Sequence, residues 1–230
     1  MSGRLKEKVA VVTGGSAGIG LGAANRFAQE GARVFITGRD EAKLKRAVES
    51  IGKNAVAIRA DTTSLTDIDR LYEQVKADTG RIDVLFANAG FYELGRFGEV
   101  TENHLDQIFN TNVRGLLFTV QKALPLLSSG ASVILTGSIA AIKGFPSLGS
   151  TTPAKRLCVR SPAPGSWISR DGVSGSTSLV QDTSIRPDWL VYTTEVREKR
   201  QGRACLWTGS ALPMKSARSP SSSLPTKAAT

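Results

Sequence analysis

The strongest constraint on the fold is an alternation of two hydrophobic periods. Short apolar runs of strand length are followed repeatedly by stretches whose apolar residues recur at helical spacing. Residues 8–13 (KVAVVT) are β-branched and end in glycines, which predicts a buried strand. Residues 19–30 carry apolar side chains at 19, 23/24 and 27/28, a helical stripe closed by Gly31. The pattern repeats: a strand at 33–37, a helix over Glu41–Ile51 stopped by Gly52, a strand over Ala55–Arg59, and a helix whose start is marked by Ser64 and Asp67. A fourth strand over Ile82–Ala87, a long helical pattern over 101–127 with Pro125 near its end, and a fifth strand at 132–136 complete it. Strands alternating with helices require a parallel sheet covered on both faces, and right-handed crossovers then give a doubly wound layout. In such sheets ligands sit beyond the carboxyl ends of the strands.

The residues with chemical potential fall at those ends. TGGSAGIG, residues 13–20, joins the first strand to the first helix. Gly14, Gly18 and Gly20 let backbone approach a pyrophosphate, and Ser16, Ile19 and the helix N-terminus surround it. The second strand ends at Thr37-Gly38-Arg39, where an acidic residue would select the ribose 2′-hydroxyl of NAD; Arg39 instead suits the 2′-phosphate of NADP, with Asp40 beside it. Asp61 follows the third strand, and Asn88-Ala89-Gly90 ends the fourth. Asn112 lies on the apolar stripe of the long helix, so its amide is either structural or part of a site. Ser138 ends the fifth strand.

Composition adds a boundary. The chain of 230 residues carries a net charge of +10, but residues 1–149 hold 18 Lys/Arg against 15 Asp/Glu, and residues 150–230 hold 12 against 5. That ending also contains seven of the nine prolines, all three tryptophans and both cysteines, Cys158 and Cys205. Two such cysteines define no disulfide framework, and a lone histidine, His104, argues against a His-based metal site or a Ser-His triad. No apolar run approaches about 18 residues, and the N-terminal stretch lacks the apolar core of a signal peptide, so a cytoplasmic protein without membrane contact is expected. A basic ending permits nucleic-acid binding, but it has no motif and no amphipathic basic helix, so none is expected.

Together, TGGSAGIG, the Asp61 turn, NAG at 88–90, the Asn112 helix and the LTGS strand resemble the short-chain dehydrogenase/reductases (SDRs) over residues 5–149. The resemblance implies an NAD(P)-binding Rossmann fold and oxidoreduction between a carbonyl and an alcohol on a small molecule. It implies NADP, with NAD as the alternative, bound at Gly14, Ser16, Gly18, Ile19, Gly20, Arg39, Asp61, Asn88, Ala89 and Gly90. By it, Ser138 holds the substrate oxygen and Asn112 orders a relay. A homo-oligomer is also implied, built on the long helix and on a helix that this chain does not supply.

The family pattern then breaks. It uses Tyr-x-x-x-Lys about 13 residues after the serine; here Thr151 stands at the tyrosine position, while Lys155 is in place. The genetic code suggests a reason. Residues 150–161, read one base earlier with permitted third bases, become Val-Tyr-Asn-Ala-Ser-Lys-Ala-Ala-Val-Arg-Ser, and residues 176–189 become a strand followed by Pro-Gly. A frameshift near residues 149–150 accounts for both. The expected fold is therefore a Rossmann-like doubly wound parallel sheet truncated to about five strands. Residues 1–149 form the dinucleotide-binding domain, and 150–230 form an irregular or disordered tail that replaces the catalytic helix and leaves the fifth strand as an edge. Such a chain is an impaired oxidoreductase or a non-catalytic dinucleotide-binding protein.

Overall fold

The computed structural model describes residues 3–93 and 98–137, and the backbone of strands within 167–198. Five parallel strands form the sheet's first part: β1 (Val9–Thr13), β2 (Arg33–Gly38), β3 (Ala55–Arg59), β4 (Ile82–Ala87) and β5 (Leu127–Thr136), in spatial order β3-β2-β1-β4-β5. The order reverses beside β1, which makes the carboxyl end of β1 a switch point where a crevice opens. β1 and β4 are buried along their whole length, as strands covered on both faces must be.

Alternation within β1 feeds two cores. Val9 and Val11 join Phe35, Ile68, Leu71, Val75, Leu85 and Val133 on one face. Ala10 and Val12 join Ala24, Val34, Ile36, Leu44 and Phe86 on the other. Helices α1 (Gly18–Gln29) and α2 (Glu41–Ile51) cover the second face, and α3 (Leu65–Thr79) covers the first. Asp40 caps α2 by accepting from Lys43 N at 3.0 Å, and Ser64 caps α3 by accepting from Asp67 N at 3.3 Å. At α1 the N-cap is Ala17 and no side chain caps it, so its first-turn N–H groups keep their capacity for a ligand.

The long helix expected at 101–127 is broken into pieces. α4 (Glu102–Phe109) passes into a π-helical turn at Asn110–Gly115, then α5 (Leu116–Ala123), then a 3₁₀ turn at Leu124–Leu126 that contains Pro125. The Tyr72 hydroxyl donates to Thr119 O at 2.6 Å and ties α3 to α5; burial pushes this phenol's pKa up. β5 starts five residues earlier than its apolar run suggests, with Gly130 at φ +79° and a register shift against β4 in this added stretch.

The sheet does not stop at β5. β6 (Trp167–Ile168), β7 (Val173–Val180) and β8 (Val191–Glu198) extend it to eight strands, in order β5-β8-β7-β6, and all three added pairings are antiparallel. The fifth strand is therefore not an edge, contrary to expectation: Thr136 pairs with Val191 and Ser132 with Glu195. An exposed row of backbone donors and acceptors is a template for any extended segment within reach. No crossover helix accompanies these strands among the described residues.

Candidate functional site

A cleft of about 170 Å³ opens at the carboxyl ends of the first four strands. The β1–α1 turn contributes Gly14 and Ser16, the end of β2 contributes Thr37, Gly38 and Arg39, and the β3–α3 loop contributes Ala60, Asp61 and Thr62. Ala89, Gly90 and Phe91 come from beyond β4, and Thr111 from the π turn.

Two glycines shape its floor. Gly14 has φ +66°, and a Cβ there would lie 3.1 Å from both Ala89 Cα and Asn88 Nδ2. At Gly20 a Cβ would lie 2.3 Å from Gly14 O and 2.6 Å from Asn88 Nδ2, so no side chain fits. Asn88 locks three strand ends together. Its Nδ2 donates to Thr13 O (3.1 Å) and Gly14 O (3.3 Å), and its Oδ1 accepts from Thr136 Oγ1 (3.2 Å). Thr13 Oγ1 accepts from the N–H groups of Asn88 and Ala89 at 3.0 and 3.1 Å. Asn88 thus shapes the backbone cradle from behind rather than lining the cleft.

At the rim, Arg39 and Asp40 divide their work. Asp40 is committed to α2: the Lys43 N–H bond, together with the Lys43 ammonium 3.7 Å away, holds its carboxyl below the usual carboxylate range. Arg39 is exposed, lines the cleft, and has no hydrogen-bond or ion-pair partner among the described residues. Asp61 Oδ1 accepts from Thr63 N and Thr63 Oγ1, both at 2.9 Å, and Asp61 N donates to Asp67 Oδ2 at 2.8 Å. This closed set of bonds fixes the loop that forms the far wall.

Asn112 is buried at 1 % exposure, inside the π turn. Its Nδ2 donates to Phe91 O at 2.6 Å and its Oδ1 accepts from Phe91 N at 2.9 Å. The amide therefore substitutes for a missing strand partner and pins the backbone that follows Gly90. Gly115, at the end of the turn, lets this helix approach the Asp61 loop: a Cβ there would lie 2.7 Å from Thr62 O. A π turn inside an α-helix frequently marks a functional site.

Of the residues singled out from sequence, Gly14, Ser16, Arg39, Asp61, Ala89 and Gly90 line the cleft together. Gly20, Asn88 and Asn112 shape it from behind, through the contacts above. Gly18 and Ile19 form the start of α1 without lining the cavity, and Ile19 packs on the core. Ser138, Thr151 and Lys155 lie outside the described residues. Sequence reading missed Ala60, Thr62, Phe91 and Thr111 as lining groups, and used Thr37 and Gly38 only as a strand end. Their one signal was position, immediately after a strand or in the turn of the long helix. Among the described residues, no group of three or more His, Cys, Asp or Glu could hold a metal ion, and no helix is long and apolar enough to cross a membrane.

A backbone cradle kept open by Gly14 and Gly20, an uncapped helix start above it, and a cation at the rim without a partner among the described residues fit a dinucleotide. Fold and site together define a dinucleotide-binding domain of the Rossmann type. The family model for short chain dehydrogenases matches residues 8–156, and the chain belongs to that family. Oxidoreductase asL5 of Sarocladium schorii is 46 % identical over 166 residues, covering 71 % of this chain and 66 % of that protein. Hydroxynaphthalene reductase arp2 of Aspergillus fumigatus is 38 % identical over 146 residues, covering 62 % and 54 %. A short chain dehydrogenase/reductase from Burkholderia phymatum, solved in complex with NAD, superposes with a TM-score of 0.65 at 27 % identity, covering 67 % of this chain and 57 % of the other. The chain thus spans less than two thirds of the length of each of these three relatives. Family membership implies a nicotinamide dinucleotide cofactor.

Proposed function

We propose that the protein is an NADP(H)-binding oxidoreductase of the short-chain type whose cofactor cleft is intact and whose proton transfer is impaired. When bound, the cofactor supplies the redox equivalent that interconverts a carbonyl and an alcohol. The observation that carries the reading is Arg39, a free guanidinium at the rim of the glycine cradle beside an Asp40 already committed to α2. A 2′-phosphate would give Arg39 a charge-assisted partner, which the 2′-hydroxyl of NAD cannot. In this reading Ser138 holds the substrate oxygen, and Asn112 keeps the Phe91 backbone in place as part of a relay. Thr151 stands where a phenol would deliver the proton. An aliphatic hydroxyl is a far weaker acid, so chemistry is slowed by about 10²–10⁴ even with Lys155 present.

The proposal includes the ending. The family domain occupies residues 1–149, and 150–230 is an out-of-register replacement. The match to the family model stops at residue 156, and the three strands beyond it pair antiparallel instead of adding parallel βα units. An unambiguous read of the DNA around codon 150 decides whether a base was lost in the sequence record.

For the substrate, the names of two relatives, hydroxynaphthalene reductase and versicolorin reductase 1, favour a small hydroxylated aromatic over a macromolecular partner. A second reading, a dinucleotide-binding protein without turnover, rests on Thr151 alone.

Calorimetric titration with NADPH and NADH, with and without Arg39→Ala, tests cofactor choice. NADPH should bind more tightly, and the substitution should weaken it by roughly 10- to 100-fold while leaving NADH unchanged. Equal affinities in the unaltered chain would refute the NADP assignment. Following NADPH absorbance with carbonyl substrates separates slow turnover from none; turnover at ordinary enzymatic rates would refute the impairment.

A further inference from the structure

A second cavity, of about 500 Å³, opens at the opposite end of the strands from the cofactor cleft, and the oxidoreductase reading makes no use of it. Its walls are the segments that lead into the strands: Lys6, Glu7 and Lys8 before β1, Arg33 at the start of β2, Asn54 before β3 and Arg81 before β4. Its volume falls in the range of small-molecule sites, about 300–1,000 Å³. Four of these side chains are cations and one, Glu7, is an anion. The cations are held in place but not used up. Lys8 Nζ and Arg81 Nε share the Asp83 carboxylate, at 3.0 and 3.3 Å, and Arg81 Nη2 donates to Glu7 O at 2.7 Å. Arg33 Nε and Nη2 both donate to Asp78 Oδ2. Nη1 of each guanidinium and the ammonium of Lys6 have no hydrogen-bond partner among the described residues. Glu7, Asp78 and Asp83 together compensate three of the four positive charges.

The backbone around this cavity is also unusual. Glu7 is held at φ +62°, and Gly31, at φ +97°, lies so near the strap that an added Cβ would sit 3.1 Å from Lys6 Cα. Strained main chain of this kind concentrates at binding sites. We propose that the cavity is a second binding site, for a small molecule bearing several phosphate groups, separate from the cofactor cleft. Guanidinium groups already anchored by carboxylates lose little freedom when they bond a phosphate, and their remaining N–H groups make charge-assisted bonds to its oxygens. A chain of phosphates engages several of the four cations at once, whereas a single phosphate engages fewer. The Glu7 carboxylate opposes the ligand's charge, so its removal strengthens binding.

The test is calorimetric titration of the full chain at low ionic strength, with inorganic tripolyphosphate as the probe and orthophosphate as its comparison. Tripolyphosphate should bind the more tightly. Lys6→Gln should weaken it by about 3- to 10-fold, and Glu7→Gln should tighten it. Lys45→Gln, which removes an exposed charge from α2 outside the cavity, should leave it unchanged. Lys6 and Glu7 are both exposed, so neither substitution threatens folding. Affinity unmoved by Lys6→Gln, or no preference for tripolyphosphate over orthophosphate, overturns the proposal. An equal loss in Lys45→Gln also overturns it, because the attraction would then be diffuse and belong to the whole basic chain. Binding that is lost in Arg39→Ala but kept in Lys6→Gln places the ion in the cofactor cleft and overturns it as well.

Discussion

Consider Gly20→Ala. A methyl group here would sit 2.3 Å from Gly14 O and 2.6 Å from Asn88 Nδ2, whereas ordinary van der Waals contact begins near 3.4 Å. Backbone or amide must therefore retreat by about 1 Å. Neither can do so freely, since Asn88 Nδ2 also holds Thr13 O and its Oδ1 holds Thr136. Overpacking at so tight a site costs about 1–3 kcal/mol, a fall in Tm of roughly 3–10 °C for a chain of this size. Displacing the Gly14 carbonyl also deforms the cradle, so NADPH affinity should drop at least about tenfold, equivalent to about 1.4 kcal/mol. Two nearby glycines serve as controls. At Gly22, inside α1, nothing lies within 4 Å of an added Cβ, so alanine should stabilise by about 0.5–1 kcal/mol. At Gly18 there is equal space but φ is +56°, so alanine should cost about 1–2 kcal/mol through backbone strain alone. Urea denaturation read alongside calorimetric titration distinguishes the three. If Gly20→Ala matches the unaltered chain in both assays, the close approach of α1 to the β1 turn does not exist as described.

Asp83 lies near the start of β4, at the opposite end of the strands from the cleft. Burial pushes its pKa up, but bonds from Val9 N, Lys8 Nζ, Ser128 Oγ and Arg81 Nε outweigh that and hold it below the usual range. A depressed folded pKa contributes stability above the unfolded value, about 3.9, and loses it as pH falls through the folded value. Asp83→Asn should therefore cost about 1–3 kcal/mol at pH 7, and the two denaturation curves should converge in acid; a constant gap down to the acid transition would contradict the assignment. Glu7 is the one non-glycine with positive φ among the described residues, +62°, held there as Arg81 Nη2 donates to its carbonyl at 2.7 Å. Glu7→Gly should raise stability by about 0.5–1 kcal/mol, relieved strain outweighing added chain entropy, seen as a higher urea midpoint at unchanged slope; a lower midpoint would show that the turn is not strained.

The parallel half of the fold was legible because buried strands and amphipathic helices write different periods into the chain, and Ser64 marked where one helix began. The cradle glycines were legible because a turn pressed between β1, α1 and the Asn88 amide tolerates no other residue. Asn112 stood out as a polar residue on an apolar stripe, but that it bonds both backbone groups of Phe91 could not be read, because the contact spans 21 positions and needs a π turn that leaves no sequence mark. Thr62 and Thr111 line the cleft through their place in the fold, and nothing in their identity sets them apart from surface threonines.

The strands beyond residue 160 escaped notice for a different reason, and it bears on how the two parts of the chain depend on each other. A parallel neighbour for β5 requires a crossover of a dozen or more residues, normally a helix with an apolar face, and so demands a long patterned stretch. An antiparallel neighbour demands only extended backbone that returns in the opposite direction. β8 supplies that to Ser132–Thr136, and β7 and β6 follow by the same rule. Backbone pairing of this kind is nearly indifferent to side-chain identity, so a segment without amphipathic periodicity satisfies an open edge as well as a designed one would. Backbone pairing by itself positions no side chain for chemistry. Closing the edge and completing the chemistry are separate requirements. The cleft residues from Gly14 to Thr111 all precede β5 in the chain, so none of them belongs to the strands that cover its edge.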